Sequence, residues 1–188
     1  MTAGVKMKQC LTAASAVLLL VFLSGCGDAR VQGLVGGEAA YALLADLSKS
    51  RACEAYRIDG YARSGPSARD DAPGTKTDKA RELHGYPVIS GPMVLDEASR
   101  ATLSKVLTDP NTYLWDSAKA CEFVPGVALR LSDANVQVDV LVCFSCDELE
   151  IYTNGKRAGQ EDFDPRRIDL LHVARKLFPK DAGIQALK

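Results

Sequence analysis

Cys53, Cys121 and the pair in Cys143-Phe144-Ser145-Cys146 are the residues whose type and spacing most suggest chemistry. Two cysteines separated by two residues can form a strained, reducible disulfide and lower each other's thiol pKa, which is how a thiol-disulfide redox pair works. Active pairs usually sit at a helix N-terminus, whose partial positive charge favours the thiolate. Here the motif follows a valine-rich run and enters Asp147 and Glu148, whose charge works against it. The four thiols are also the ligand type that zinc favours, but one Cys-x-x-Cys with two scattered partners lacks the matching second pair. The remaining use is structural, as one or two disulfides, and four cysteines allow three pairings.

The other reactive residue types give weaker patterns. His84 and His172 are the only histidines, one beside a polar loop and one on a helical segment. No Gly-x-Ser-x-Gly elbow, phosphate-cradling loop or dinucleotide fingerprint is present. Asp147, Glu148 and Glu150, and Glu161, Asp162 and Asp164, could bind a cation or act as an acid and base pair, although such clusters are more often solvated edges and helix caps. Trp115, the single tryptophan, could line a groove, but an aromatic beside a strand entry is usually core. The sequence therefore names no catalytic residue, no metal ligand and no cofactor.

The compartment decides what the thiols become. Residues 1–25 carry Lys6 and Lys8, no acidic side chain, and an apolar run from Leu11 to Leu23, in the order of a secretory signal. The run is about 13 residues, against roughly 20 needed to span a bilayer. It ends in Leu23-Ser24-Gly25-Cys26, which resembles the lipobox of bacterial lipoproteins. There a lipid is attached to the cysteine thiol and the chain is cut just before it. The resemblance implies a protein held by lipid on Cys26 to a membrane facing the periplasm. In that family an aspartate directly after the cysteine is an inner-membrane signal, so Gly27 slightly favours the outer membrane. The expected partners are that membrane and an envelope protein. Formal net charge is −1 and no long basic run occurs, so a nucleic-acid surface has no electrostatic support. Outside the cytoplasm, disulfides are the default state of the remaining cysteines.

Patterning predicts how the elements are laid out. Residues 26–36, with several glycines, read as a tether, and residues 37–188 as a single α+β domain, a small antiparallel sheet with helices packed on one face. Tyr41, Leu43, Leu44 and Leu47 mark a first amphipathic helix over 38–49, followed by a short strand at 54–58. Glycine, proline and charge over about 60–80 read as a mobile insertion. Extended chain interrupted by Gly91-Pro92 leads to Asp96, an N-cap for a helix with apolar positions Ala98, Leu103, Val106 and Leu107, stopped at Asp109-Pro110. Asp164 and Pro165 predict the start of a last helix with Leu170, Leu171, Ala174, Leu177 and Phe178 on one face.

Between these helices, Val127, Leu129 and Leu131, then Val136, Val138, Val140 and Val142, alternate with other residues across the turn Ser132-Asp133-Ala134-Asn135, which predicts an antiparallel hairpin. With Ser132 opposite Asn135, Leu131 faces Val136 and Leu129 faces Val138, and the same register sets Cys121 opposite Cys146. That makes Cys121–Cys146 the first disulfide candidate. Cys143 then points to the other face, with Cys53 its remaining partner; a Cys121–Cys143 bond is the alternative if Pro125 disrupts the strand. The change of apolar phase at Leu149, Ile151 and Tyr152 predicts a bulge or a turn near Asp147.

The second half is also similar to a group of uncharacterised bacterial proteins, many of them lipoproteins. The likeness rests on Cys121-Glu122-Phe123-Val124-Pro125-Gly126-Val127, Cys143-Phe144-Ser145-Cys146-Asp147-Glu148, Phe163-Asp164-Pro165 and Leu177-Phe178-Pro179. It implies a shared fold and cysteine arrangement and carries no activity. The reading of the whole sequence is a membrane-anchored, non-catalytic binding or structural domain, with a redox protein using Cys143 and Cys146 as the alternative.

Overall fold

The computed structural model describes residues 28–63, 81–117 and 119–188. Cys26, the leader, and most of the segment expected to be a mobile insertion lie outside them. Seven antiparallel strands form one curled sheet in the order β2-β3-β1-β4-β5-β6-β7: β1 Ala52–Ile58, β2 Glu82–Leu83, β3 Tyr86–Val94, β4 Val127–Ser132, β5 Gln137–Cys143, β6 Glu148–Thr153 and β7 Lys156–Asp162. The chain is thus of mixed α/β class with an antiparallel sheet, but the sheet is not small.

Alternation sends Leu129, Leu131, Val138, Val140, Val142, Leu149 and Ile151 to one face. There they join one apolar cluster with residues of the five α-helices found among the described residues: α1 Ala29–Leu34, α2 Glu38–Ala45, α3 Glu97–Thr108, α4 Arg167–Leu177 and α5 Ala182–Ala186. Burying each large aliphatic side chain there contributes about 1.5–3 kcal/mol before the entropy of ordering it. Asp96 caps α3 by accepting from the Ser99 N–H; in this helix Ser99 rather than Ala98 faces inward.

Three expectations are corrected, and one alternative left open, a bulge or a turn near Asp147, is decided. The predicted tether is folded from Asp28 onward: Val31, Leu34 and Val35 recur at i, i+3 and i+4, are buried, and pack α1 along β7. Contact is so close at Gly159 that a Cβ would lie 2.7 Å from the Leu34 carbonyl oxygen. The β4–β5 hairpin pairs Leu131 with Val138 and Leu129 with Val140, two residues from the expected register, because Asp133 folds the loop by accepting from the Asn135 and Val136 N–H groups. The shift is even, so every side chain keeps its face. The phase change near Asp147 is a turn over residues 144–147, with Asp147 at φ +56°. Finally, Asp164 does not cap α4: it opens a 3-10 turn, Asp164–Arg166, and its carboxylate meets Lys119 instead.

Candidate functional site

The face of the sheet away from the helices carries the polar residues. Alternation puts Glu54 and Tyr56 of β1, Arg130 of β4, Asp139 of β5, and Glu150 and Tyr152 of β6 on this side. The sheet curls, so the tip of the β2–β3 hairpin reaches across to β5 and β6. That tip is His84-Gly85, with φ +52° and +84°, a two-residue turn with both residues left-handed, the geometry whose twist suits an antiparallel hairpin. Glycine adopts it freely, and histidine is among the residues enriched there.

His84 is thereby held over Asp139, its Nε2 2.8 Å from Oδ2, with its ring stacked 3.6 Å from that of Tyr152. Arg130 donates to both Asp139 oxygens at 2.9 Å, and Gln137 donates to Oδ2. Asp139 is 2 % exposed. Burial resists its ionisation, but the Arg130 guanidinium and His84 outweigh that and hold the carboxyl below its ordinary range. Beside it, Tyr152 donates to Glu150, which also takes a hydrogen bond from Arg157. Burial first, and the Glu150 charge second, push the Tyr152 hydroxyl up to about 12. Arg81 lies over the Tyr56 ring, and Tyr56 donates to Glu54.

A histidine paired with a buried aspartate is half of a nucleophile-activating triad, but here Nε2 is the ring nitrogen that faces the carboxylate, and no hydroxyl or thiol is bonded to His84 among the described contacts. Asp139 is saturated by three side chains. Two surface grooves, one between α2 and α3 and one lined by Met93, Phe178 and Lys180, lie on the helix side. The arrangement is that of a cross-sheet clamp.

Cys121 and Cys146 form a disulfide, with alpha carbons 6.2 Å apart. They are not facing hairpin positions, however: β5 ends at Cys143, and residues 121–126 reach Cys146 as irregular chain. Cys146 therefore does not bond Cys143 within the Cys-x-x-Cys motif. The suggested Cys53–Cys143 bond is also corrected. Cys53 is in the helix-side cluster and Cys143 on the opposite face of the sheet, and both are buried free thiols. Cys143 Sγ accepts the Val124 N–H and meets the Ser145 hydroxyl. For the same reason the four cysteines do not converge, and among the described residues no group of three or more His, Cys, Asp or Glu is placed to hold a metal ion.

No family model, curated protein or solved structure matches the chain.

The remaining sequence candidates are dispersed. Asp147 pairs with Arg167, Glu148 accepts from Gln160, and Asp162 and Asp164 flank Lys119. His172 is exposed on α4. Trp115 is half-buried against the core, donates to the Pro110 carbonyl, and lies under the Arg30 guanidinium at 4.7 Å. Sequence reasoning missed the His84–Asp139–Arg130 cluster; its signal was His84-Gly85 between Leu83 and Tyr86, a turn dipeptide flanked by strand residues.

Proposed function

We propose that this chain is a bacterial cell-envelope lipoprotein, anchored through lipid on Cys26 to a membrane facing the periplasm, and that its folded part is a non-catalytic binding or structural domain. The reading is carried by Leu23-Ser24-Gly25-Cys26 at the end of a short basic-then-apolar leader. A disulfide that includes the exposed Cys121 suits an oxidising compartment. The saturation of Asp139 suits a structural rather than a catalytic histidine.

The test is fractionation together with mass spectrometry of the N-terminal peptide. The natural chain is expected in the membrane fraction with a diacylglyceryl adduct on Cys26, and Cys26→Ser in the soluble fraction. An intact, unmodified leader on soluble material overturns the proposal. Thiol titration of the exported protein is expected to find Cys121 and Cys146 oxidised and Cys53 and Cys143 free on unfolding; a readily reduced Cys143–Cys146 bond would instead mean a redox protein.

A further inference from the structure

A lipid anchor fixes where a protein is; the distance between lipid and fold fixes how it is oriented. Resting on the lipoprotein reading above, we infer that the end of the domain formed by Arg30, Leu114 and Trp115 is held against the bilayer surface by the lipid on Cys26. Only Gly27 separates Cys26 from Asp28, whose side chain caps α1 by accepting from the Arg30 and Val31 N–H groups. Two residue steps span at most about 7 Å whatever their conformation, so little slack remains for the domain to swing.

The fold is anchored firmly at this point. Val31 and Val35 are fully buried, the Thr153 hydroxyl donates to the Val35 carbonyl, and α1 lies against Gly159 too closely for a side chain to intervene. The helix is part of the domain, and its first turn brings Arg30 over Trp115. The loop bearing Trp115 is fixed in turn: Leu114 N–H donates to the Asp162 carbonyl, and the indole packs 5.1 Å from the Tyr113 ring. Leu114 is 38 % exposed. An exposed leucine, a half-buried tryptophan and an arginine at one end match the side chains that favour the membrane interface, where an amphipathic ring and a long cationic chain each find an apolar and a wet side.

Charge makes the surface more specific. Asp28, Asp109, Asp116, Asp162 and Asp164 outnumber Arg30, Lys119 and Arg166 at this end, so attraction to anionic lipid is not what holds it. The partner is a zwitterionic lipid surface, and the contact is insensitive to salt.

Trp115 is the single tryptophan, so its emission reports this end alone. The acylated mature protein, beginning at Cys26, is reconstituted in phosphatidylcholine vesicles that carry a nitroxide on the lipid headgroup. Several-fold quenching is expected relative to unlabelled vesicles, unchanged by added salt. A variant with a flexible linker of about 20 Gly and Ser residues inserted between Gly27 and Asp28, which gives a reach of roughly 25 Å, is expected to float with the vesicles and lose most of the quenching. Matching near-ultraviolet spectra establish that it is folded. Equal quenching of the two proteins, or none in the natural chain while it floats, overturns the orientation and leaves the anchor standing. Failure of the natural chain to acquire lipid or float overturns the lipoprotein reading and this inference with it.

Discussion

On one side of the sheet, Leu131, Val138, Val140 and Phe163 are completely buried in a continuous apolar cluster with the helices; on the other, Asp139 and Glu150 are almost as deeply buried among Arg130, His84, Arg157 and Tyr152. The first face depends on volume, so loss of atoms leaves a cavity. The second combines a smaller apolar cluster around Ile58, Tyr86 and Leu141 with ion pairs that depend on direction and charge, so an isosteric change of one atom suffices to break those pairs. Both faces belong to the same four central strands, which places two kinds of stability one residue apart along each strand.

Phe163 on the helix side packs edge-on to Phe144 with ring centroids 5.9 Å apart and has no exposed surface. Phe163→Ala is expected to cost about 4 kcal/mol in urea unfolding, with no change in its pH profile. Asp139→Asn keeps the volume and removes the charge. A cost of about 3 kcal/mol is expected at neutral pH, toward the low end for a broken buried pair because Arg130 is 32 % exposed. The sign with pH follows from the lowered carboxyl pKa. The charged form is favoured in the folded state, so its contribution is full above the ordinary aspartate value of about 4 and is lost as pH falls through the lower folded value. The difference between natural chain and variant should therefore shrink in acid. A difference that stays constant into acid would mean that the carboxylate charge contributes nothing and that the loss comes from exchanging an acceptor oxygen for an amide donor.

Cys121→Ser opens the link between the irregular segment before β4 and the turn after β5. With the bonded cysteines 25 positions apart, the chain-entropy model puts an upper bound of about 3.5 kcal/mol on the loss, and reductant should lower the natural chain to the level of the variant. His84→Asn is expected to have the smallest effect, about 1–2 kcal/mol. Asparagine tolerates the positive φ, so the measured loss isolates the bond to Asp139 and the stack on Tyr152 from strain in the turn. If His84→Asn and Asp139→Asn are additive in a double-mutant cycle, the two residues do not form one clamp.

Regular patterns in the sequence carried most of the fold. The alternating valines fix a strand and its buried face whatever the register, and α3 and α4 announce themselves through apolar spacing. The hairpin register was not legible because it depends on Asp133 bonding two backbone N–H groups, which adds two residues to the loop. The strand β7, Lys156–Asp162, was hidden because an edge strand with polar residues on one side and Ala158 and Gly159 under α1 on the other shows no alternation. In α1 the spacing of Val31, Leu34 and Val35 was present, but it was outweighed by the neighbouring glycines. The clamp was the least visible feature. Asp139 reads as an ordinary outward residue between valines, and only the curl of the sheet brings His84, distant in sequence, above it.

That long reach affects how the chain assembles. The succession β4 to β7 closes through short turns, each strand meeting the one just made, so these pairings need little search. His84 and Asp139 are 55 residues apart, and the loop between them has to be gathered before their contact can contribute anything. The meander can therefore form early and without its lid, while the hairpin that bends over it arrives as a late fastening, ordered only once the surface it grips already exists.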